Sequence, residues 1–76
     1  MKRLPAERWS TLFSNQSETG MGFWTADVVL ADGRVFRDVI IESGTITKIR
    51  GRDDIPFEGA DVARIEITNR RWDWRE

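Results

Sequence analysis

The chain is predicted to be mostly β, a single small antiparallel meander or open SH3-like barrel of four to five strands with a short N-terminal helix. Residues 22–51 are rich in Val, Ile, Thr, Phe and Trp, which favour half-buried strands. The pairs Asp32-Gly33 and Ser43-Gly44 mark two closely spaced hairpin turns within that stretch. Residues 64–68 alternate between polar and apolar side chains and indicate a final strand.

The N-terminal segment, residues 1–20, is predicted to be a short helix followed by a linker. Trp9, Leu12 and Phe13 have the spacing of one helix face, and Pro5 is tolerated at a first helical position. So short a helix forms only if this face packs against other structure. Residues 14–20 are polar and predict the linker.

The first hairpin is predicted to close with a two-residue turn at Asp32-Gly33. In that register, Asp27 lies directly opposite Asp38 on the outer face, which is unfavourable for like charges. The inner face then carries two runs of side chains, Trp24, Ala26, Val28 and Leu30 opposite Ile41, Val39, Arg37 and Val35.

The second hairpin has two possible registers. A three-residue loop, Glu42-Ser43-Gly44, sets Lys48 opposite Asp38, where its charge neutralises the acidic pair. A two-residue turn at Ser43-Gly44 would instead place Lys48 against Val39 in the core. We therefore prefer the three-residue loop.

The rest of the β-meander or barrel, which spans residues 22–68, is shorter on signals. Pro56 keeps residues 55–57 out of a central strand, and residues 59–63 are predicted to form one helical turn. Ile65 and Ile67 are expected to face inward from the last strand. Residues 69–76 form a Trp/Arg tail, which is either exposed or folded back against Trp9 and Phe13.

The order of these turns and the segment VVLADGR, residues 28–34, resemble the small SH3-like and Sm-like β-barrels. The resemblance spans residues 26–67 and implies a barrel fold. The Sm-type RNA-binding loop is not recognisable here, so the resemblance implies no functional residue.

Composition argues against several functions. There are 12 Lys and Arg against 13 Asp and Glu, and this balance is atypical of a dedicated nucleic-acid binder. The chain lacks Cys and His, which removes the commonest general base and metal ligands. We therefore expect no enzymatic activity, no metal and no cofactor. With no long apolar run, we also expect no membrane span and take the cytoplasm as the default location.

Two acidic groups could carry chemistry. Asp27 and Asp38 could form a paired-carboxylate acid/base site, and the interpretation that we favour is a structural charge cluster. A second group could hold a cation, or simply be solvated loop charge with Asp61 capping the turn; its members are Asp53, Asp54, Glu58 and Asp61.

The predicted role is a small interaction module that binds a protein partner, like the inhibitors or adaptors of phages and mobile elements. Four Trp and four Phe exceed what one small inner face can bury, and Trp and Arg dominate interface energetics. The candidate contact residues in the tail are Arg71, Trp72 and Trp74. The alternative is nucleic-acid binding through a basic stripe beside an aromatic ring, formed by Phe36, Lys48, Arg50 and Arg52.

Overall fold

The computed structural model describes residues 1–74; Arg75 and Glu76, the end of the predicted tail, lie outside the described residues. Five antiparallel strands form one sheet, curled into a half-barrel, with the order β1-β4-β3-β2-β5. This arrangement confirms the predicted fold class. The elements are β1 (Lys2–Arg3), α1 (Ala6–Ser14), β2 (Trp24–Leu30), β3 (Val35–Glu42), β4 (Thr45–Ile49), a 3₁₀ turn (Gly59–Asp61) and β5 (Val62–Ile67).

The inner face of the sheet packs against α1 and forms the main core. The predicted inward residues Val28, Val39 and Ile65 are buried, as expected. Trp9 of α1 is buried against them, and Leu12 and Phe13 pack at the edge of the same cluster. The predicted helix face is therefore confirmed. No helix within residues 1–74 has the length and apolarity that a membrane crossing requires.

The first hairpin turn is one residue longer than predicted. The Leu30 N–H donates to the Arg34 carbonyl oxygen at 2.8 Å, which encloses a three-residue loop. Gly33 has φ +93°, so the expected left-handed glycine is confirmed. The predicted two-residue turn is wrong, and Val28 consequently pairs with Phe36.

A β-bulge then restores the predicted register further along. Arg37 and Asp38 together oppose Asp27, and Asp38 adopts φ +53°. Beyond it, Ala26 pairs with Val39 as expected. Between turn and bulge, however, every β3 side chain is on the face opposite to the predicted one.

This reversal corrects three residue assignments. Phe36, predicted on the outer face, packs against the core with its ring centroid 5.0 Å from that of Phe57. Val35, predicted inward, is 51 % exposed. Arg37, predicted to be the one charge on the inner face, is exposed as well.

The second hairpin shows the same compensation. Its turn is the two-residue Ser43-Gly44, with φ +50° and +74°, so the preferred three-residue loop is wrong. A register shift at Thr47 then moves Lys48 opposite Ile40 and off the core face. The clash that argued against a two-residue turn is thereby removed.

The 3₁₀ turn packs directly on the N-terminal segment. Asp61 Oδ2 accepts a hydrogen bond from the Glu58 N–H at 2.9 Å, so the capping role considered for Asp61 is correct. A Cβ atom on Gly59 would lie 1.9 Å from the Arg3 carbonyl oxygen. Only glycine permits this close approach between the turn and β1.

Candidate functional site

The tail folds back over the outer face of the sheet. The N–H groups of Thr68 and Asn69 both donate to the Thr25 carbonyl oxygen, at 3.0 and 3.1 Å. Further along, the Trp74 ring meets Phe23 edge-on at a centroid distance of 5.1 Å. Ile40 on this face is fully buried although it lies outside the main core. The tail thus closes a second, small apolar layer.

Three side chains, Asp27, Asp38 and Arg70, form what we call the outer clasp. Arg70 Nε donates to Asp38 Oδ1 at 2.8 Å, and its Nη2 donates to Asp27 Oδ1. The hydrogen bonds to Asp27 and then Asp38 raise the pKa of Arg70. The acidic pair on the outer face was predicted correctly, but the predicted cation, Lys48, forms no ion pair within residues 1–74.

The predicted basic stripe is dispersed. Arg50 pairs with Asp38 at 3.4 Å and lies over the Trp72 ring, 5.5 Å from its centroid. Arg52 pairs with Asp54 at 3.2 Å. Lys48 is half-buried opposite Ile40. The stripe is therefore kept only in part: Phe36 packs against the core, and Arg52 lies over its ring, 5.6 Å from the centroid.

The candidate contact residues of the tail differ in their exposure. Trp72 and Trp74 are half-buried on the outer face. Their ring contacts are with Arg50 and Phe23 rather than with Trp9 and Phe13, so the tail folds back but not onto the helix. Arg71 is exposed.

An apolar groove lies between α1 and the Ser43-Gly44 turn. It has a volume of about 240 Å³ and is lined mainly by Pro5, Trp9, Phe13 and Trp24. We call it the aromatic groove. Phe13 and Trp24 are in contact, with ring centroids 4.8 Å apart.

The local sequence explains how the groove forms. Pro5, Trp9 and Phe13 succeed one another at four-residue spacing, so they form one ridge along α1. The Leu4 N–H donates to the Gly44 carbonyl oxygen at 2.8 Å and anchors the start of α1 beside the turn. Trp24, at the first position of β2, supplies the opposite wall.

The rim of the groove is polar and carries one unpaired cation. Arg3 is exposed, lines the groove and forms no ion pair within residues 1–74. The indole N–H groups of Trp9 and Trp24 have no acceptor among the same residues. Both nitrogen atoms are buried, so they add no accessible donor to the rim.

Sequence reasoning missed this groove. Trp24 was assigned to the inner face, which is where it lies, but the helix was not assigned to that face. Trp24 is only partly buried there, although Phe13 of the helix contacts it. The unused signal was the surplus of aromatic residues in α1 and at the start of β2, which was attributed to the tail.

Three of the four acidic residues considered for a cation site make contacts with other residues of the chain. Asp54 accepts hydrogen bonds from the Arg52 guanidinium, which lowers the pKa of its carboxyl. Glu58 pairs with Lys2, and Asp61 caps the 3₁₀ turn. Within residues 1–74 no three acidic side chains are grouped as a metal site would require.

A comparison of the chain with protein-family models, curated proteins and solved structures finds no match.

Proposed function

We propose that the chain is a non-enzymatic protein-binding module, and that the aromatic groove receives an apolar side chain of the partner. The observation that supports this is the half-buried wall of Pro5, Phe13 and Trp24 around a space of about 240 Å³. A space of this size suits one or two side chains of a peptide rather than a whole drug-sized ligand. Aromatic residues in such pockets commonly dominate interface energetics.

The rim supports a particular partner chemistry. Arg3 has no carboxylate to pair with among residues 1–74, so an acidic residue beside the apolar side chain would find a counter-ion there. The partner that we propose is therefore a segment with an aromatic or aliphatic anchor next to Asp or Glu.

The alternative of nucleic-acid binding keeps one of its predicted contacts, Arg52 over the Phe36 ring at 5.6 Å. Arg50 and Arg52 are nevertheless each paired with a carboxylate, and Phe36 packs against the core. A stacking platform requires exposed rings beside unpaired cations. Salt dependence separates the two functions, since binding through phosphate contacts falls steeply with salt.

A peptide selection would test the proposal. We expect random displayed peptides selected on the chain to converge on an apolar anchor flanked by acidic residues. Ser10→Trp should block their binding, because Ser10 lines the groove and is exposed. Thr11→Trp is the matched control, since the neighbouring Thr11 is also exposed but does not line the groove.

Charge provides a second arm of the experiment. Arg3→Glu should weaken the binding of the selected peptides while leaving the fold intact, as judged by circular dichroism. Selection without convergence, or binding that survives Ser10→Trp, would contradict the proposal.

A further inference from the structure

The two edges of the sheet differ. One edge is β1, which covers β4 for only two residues, and nearby Lys48 adds a positive charge that forms no ion pair in the described part of the chain. The other edge is β5, six residues long, which pairs only with β2 among the residues described. An edge strand of this length offers unpaired backbone groups to a further strand.

The backbone of β5 alternates in direction. The Thr68 N–H donates toward β2, to the Thr25 carbonyl oxygen, so Glu66 and Arg64 also direct their backbone groups toward β2. The N–H and C=O groups of Ile65 and Ile67 therefore point away from the sheet. They form a row that a second strand can pair with.

The exposed side chains of β5 carry opposite charges around a centre. Arg64 and Glu66 flank Ile65, and their side chains pair at 3.1 Å while both remain exposed. In an antiparallel pairing of two β5 strands with Ile65 opposite Ile65, each Arg64 faces Glu66 of the second copy. The outward backbone groups of Ile65 then lie on the two-fold axis and bond to each other.

From this self-complementarity we infer that β5 pairs with β5 of a second copy of the chain, forming a symmetric dimer whose sheet is continuous. An in-register parallel pairing would place like charges opposite each other, and a strand of unrelated sequence would lack the double match. Edges that are protected from pairing commonly carry charges or a bulge, and β5 has a register shift at Ala63, two residues before the proposed centre at Ile65. Here the charges are complementary under the dimer symmetry, so they favour pairing instead.

Formation of this dimer requires one side chain, that of Arg8, to give up a hydrogen bond. Arg8 Nη2 donates to the Ala63 carbonyl oxygen at 3.1 Å, on the open side of β5. In the dimer, the N–H of Ile67 of the second copy takes that acceptor. Arg8 is exposed and lies over the Trp9 ring at 5.0 Å, where its charge stays favourably placed.

Charge-swap variants test the dimer. Arg64→Glu alone and Glu66→Arg alone place like charges opposite each other, and each should raise the dimer dissociation constant by about tenfold in sedimentation equilibrium. An equimolar mixture of the two variants should restore dimers, because each Glu then faces an Arg. Arg71→Glu, at an exposed residue outside β5, is the control that should leave the dissociation constant unchanged.

Hydrogen exchange locates the interface independently. The amides of Ile65 and Ile67 should become more protected as protein concentration rises. A chain that stays monomeric, a dimer that both single variants leave intact, or a mixture that does not reassociate would overturn the inference. None of these residues lines the aromatic groove, so the peptide selection and the dimer test fail separately.

Discussion

Arg70 in the tail donates a hydrogen bond to Asp38 in β3 at 2.8 Å, across 32 positions of sequence. Asp38 is the bulged residue with φ +53°, so the same contact fixes both the tail and the bulge. The Asp27 and Asp38 side chains are only 14 % and 17 % exposed, and both carboxylates lie within reach of the one guanidinium. The outer clasp therefore links the register of the first hairpin to the path of the tail.

Loss of the Arg70 guanidinium should destabilise the fold. Arg70→Met leaves two neighbouring, partly buried carboxylates without their shared donor, which costs more than losing an exposed ion pair. Arg71→Met is the control, because Arg71 is exposed and makes no such contact. Urea denaturation should show a lower free energy of unfolding for Arg70→Met alone. Equal values for both variants would show that the clasp is not structural.

Two valines of the same strand should differ strongly in their response to the same substitution. Val39→Ala should lower the free energy of unfolding by roughly 1–4 kcal/mol, because it removes buried surface and leaves a cavity. Val35→Ala should change it by at most about 0.5 kcal/mol, since Val35 lies outward between turn and bulge. A large effect at Val35 would instead favour the predicted register, in which a two-residue turn places Val35 inward.

The contrast between these valines shows which feature of the hairpin could not be predicted from the sequence. Gly33 and Gly44 were identified because left-handed backbone favours glycine, and both have positive φ. The lengths of the two hairpin loops were predicted wrongly, because each prediction assumed a regular strand ladder without a bulge. A bulge at Asp38 and a shift at Thr47 each insert one residue, and patterning alone does not distinguish a longer turn from a shorter turn plus a bulge.

The candidate sites were harder to predict than the hairpin registers, because they depend on contacts between distant segments. The pair of Asp27 and Asp38 was found from local pairing, and its need for a cation was correct. The cation came from Arg70 in the tail, whose path no periodic pattern indicates. Likewise, the aromatic groove exists because α1 stops short of covering Trp24, a matter of docking geometry rather than of composition.

Gly59→Ala should destabilise the fold by steric conflict. A methyl group there meets the Arg3 carbonyl oxygen at 1.9 Å, so the 3₁₀ turn or β1 must move, at a cost of roughly 2–4 kcal/mol. Gly33→Ala is the useful comparison, because nothing lies within 4 Å of its added atom and only the φ of +93° is strained. We expect about 1–2 kcal/mol there. Thermal or urea unfolding should therefore rank Gly59→Ala as the worse variant.

Asp32 should make stability depend on pH in the acid range. Its carboxylate accepts hydrogen bonds from the Arg34 N–H and guanidinium, and chiefly the backbone bond lowers its pKa below the ordinary 3.8. Because the folded pKa is the lower one, this stabilisation is complete above the unfolded value and disappears as pH falls through the folded value. Asp32→Asn keeps an acceptor without the charge. The stability difference between wild type and variant should shrink in that window, and a constant difference would contradict the assignment.

Trp74 should contribute to stability rather than to partner binding. Its ring meets Phe23, which is only 8 % exposed, so Trp74→Ala uncovers apolar surface and should lower the free energy of unfolding by roughly 1–3 kcal/mol. Trp74→Phe keeps an aromatic ring at that place and should lose less. Circular dichroism is the appropriate readout, because the chain holds four Trp and the substitution itself alters fluorescence. Under conditions where both variants remain folded, peptides selected on the aromatic groove should bind them as tightly as wild type, since the groove lies on the opposite face of the sheet. Binding lost in Trp74→Ala without any loss of stability would instead make the tail the contact surface, as the aromatic surplus first suggested.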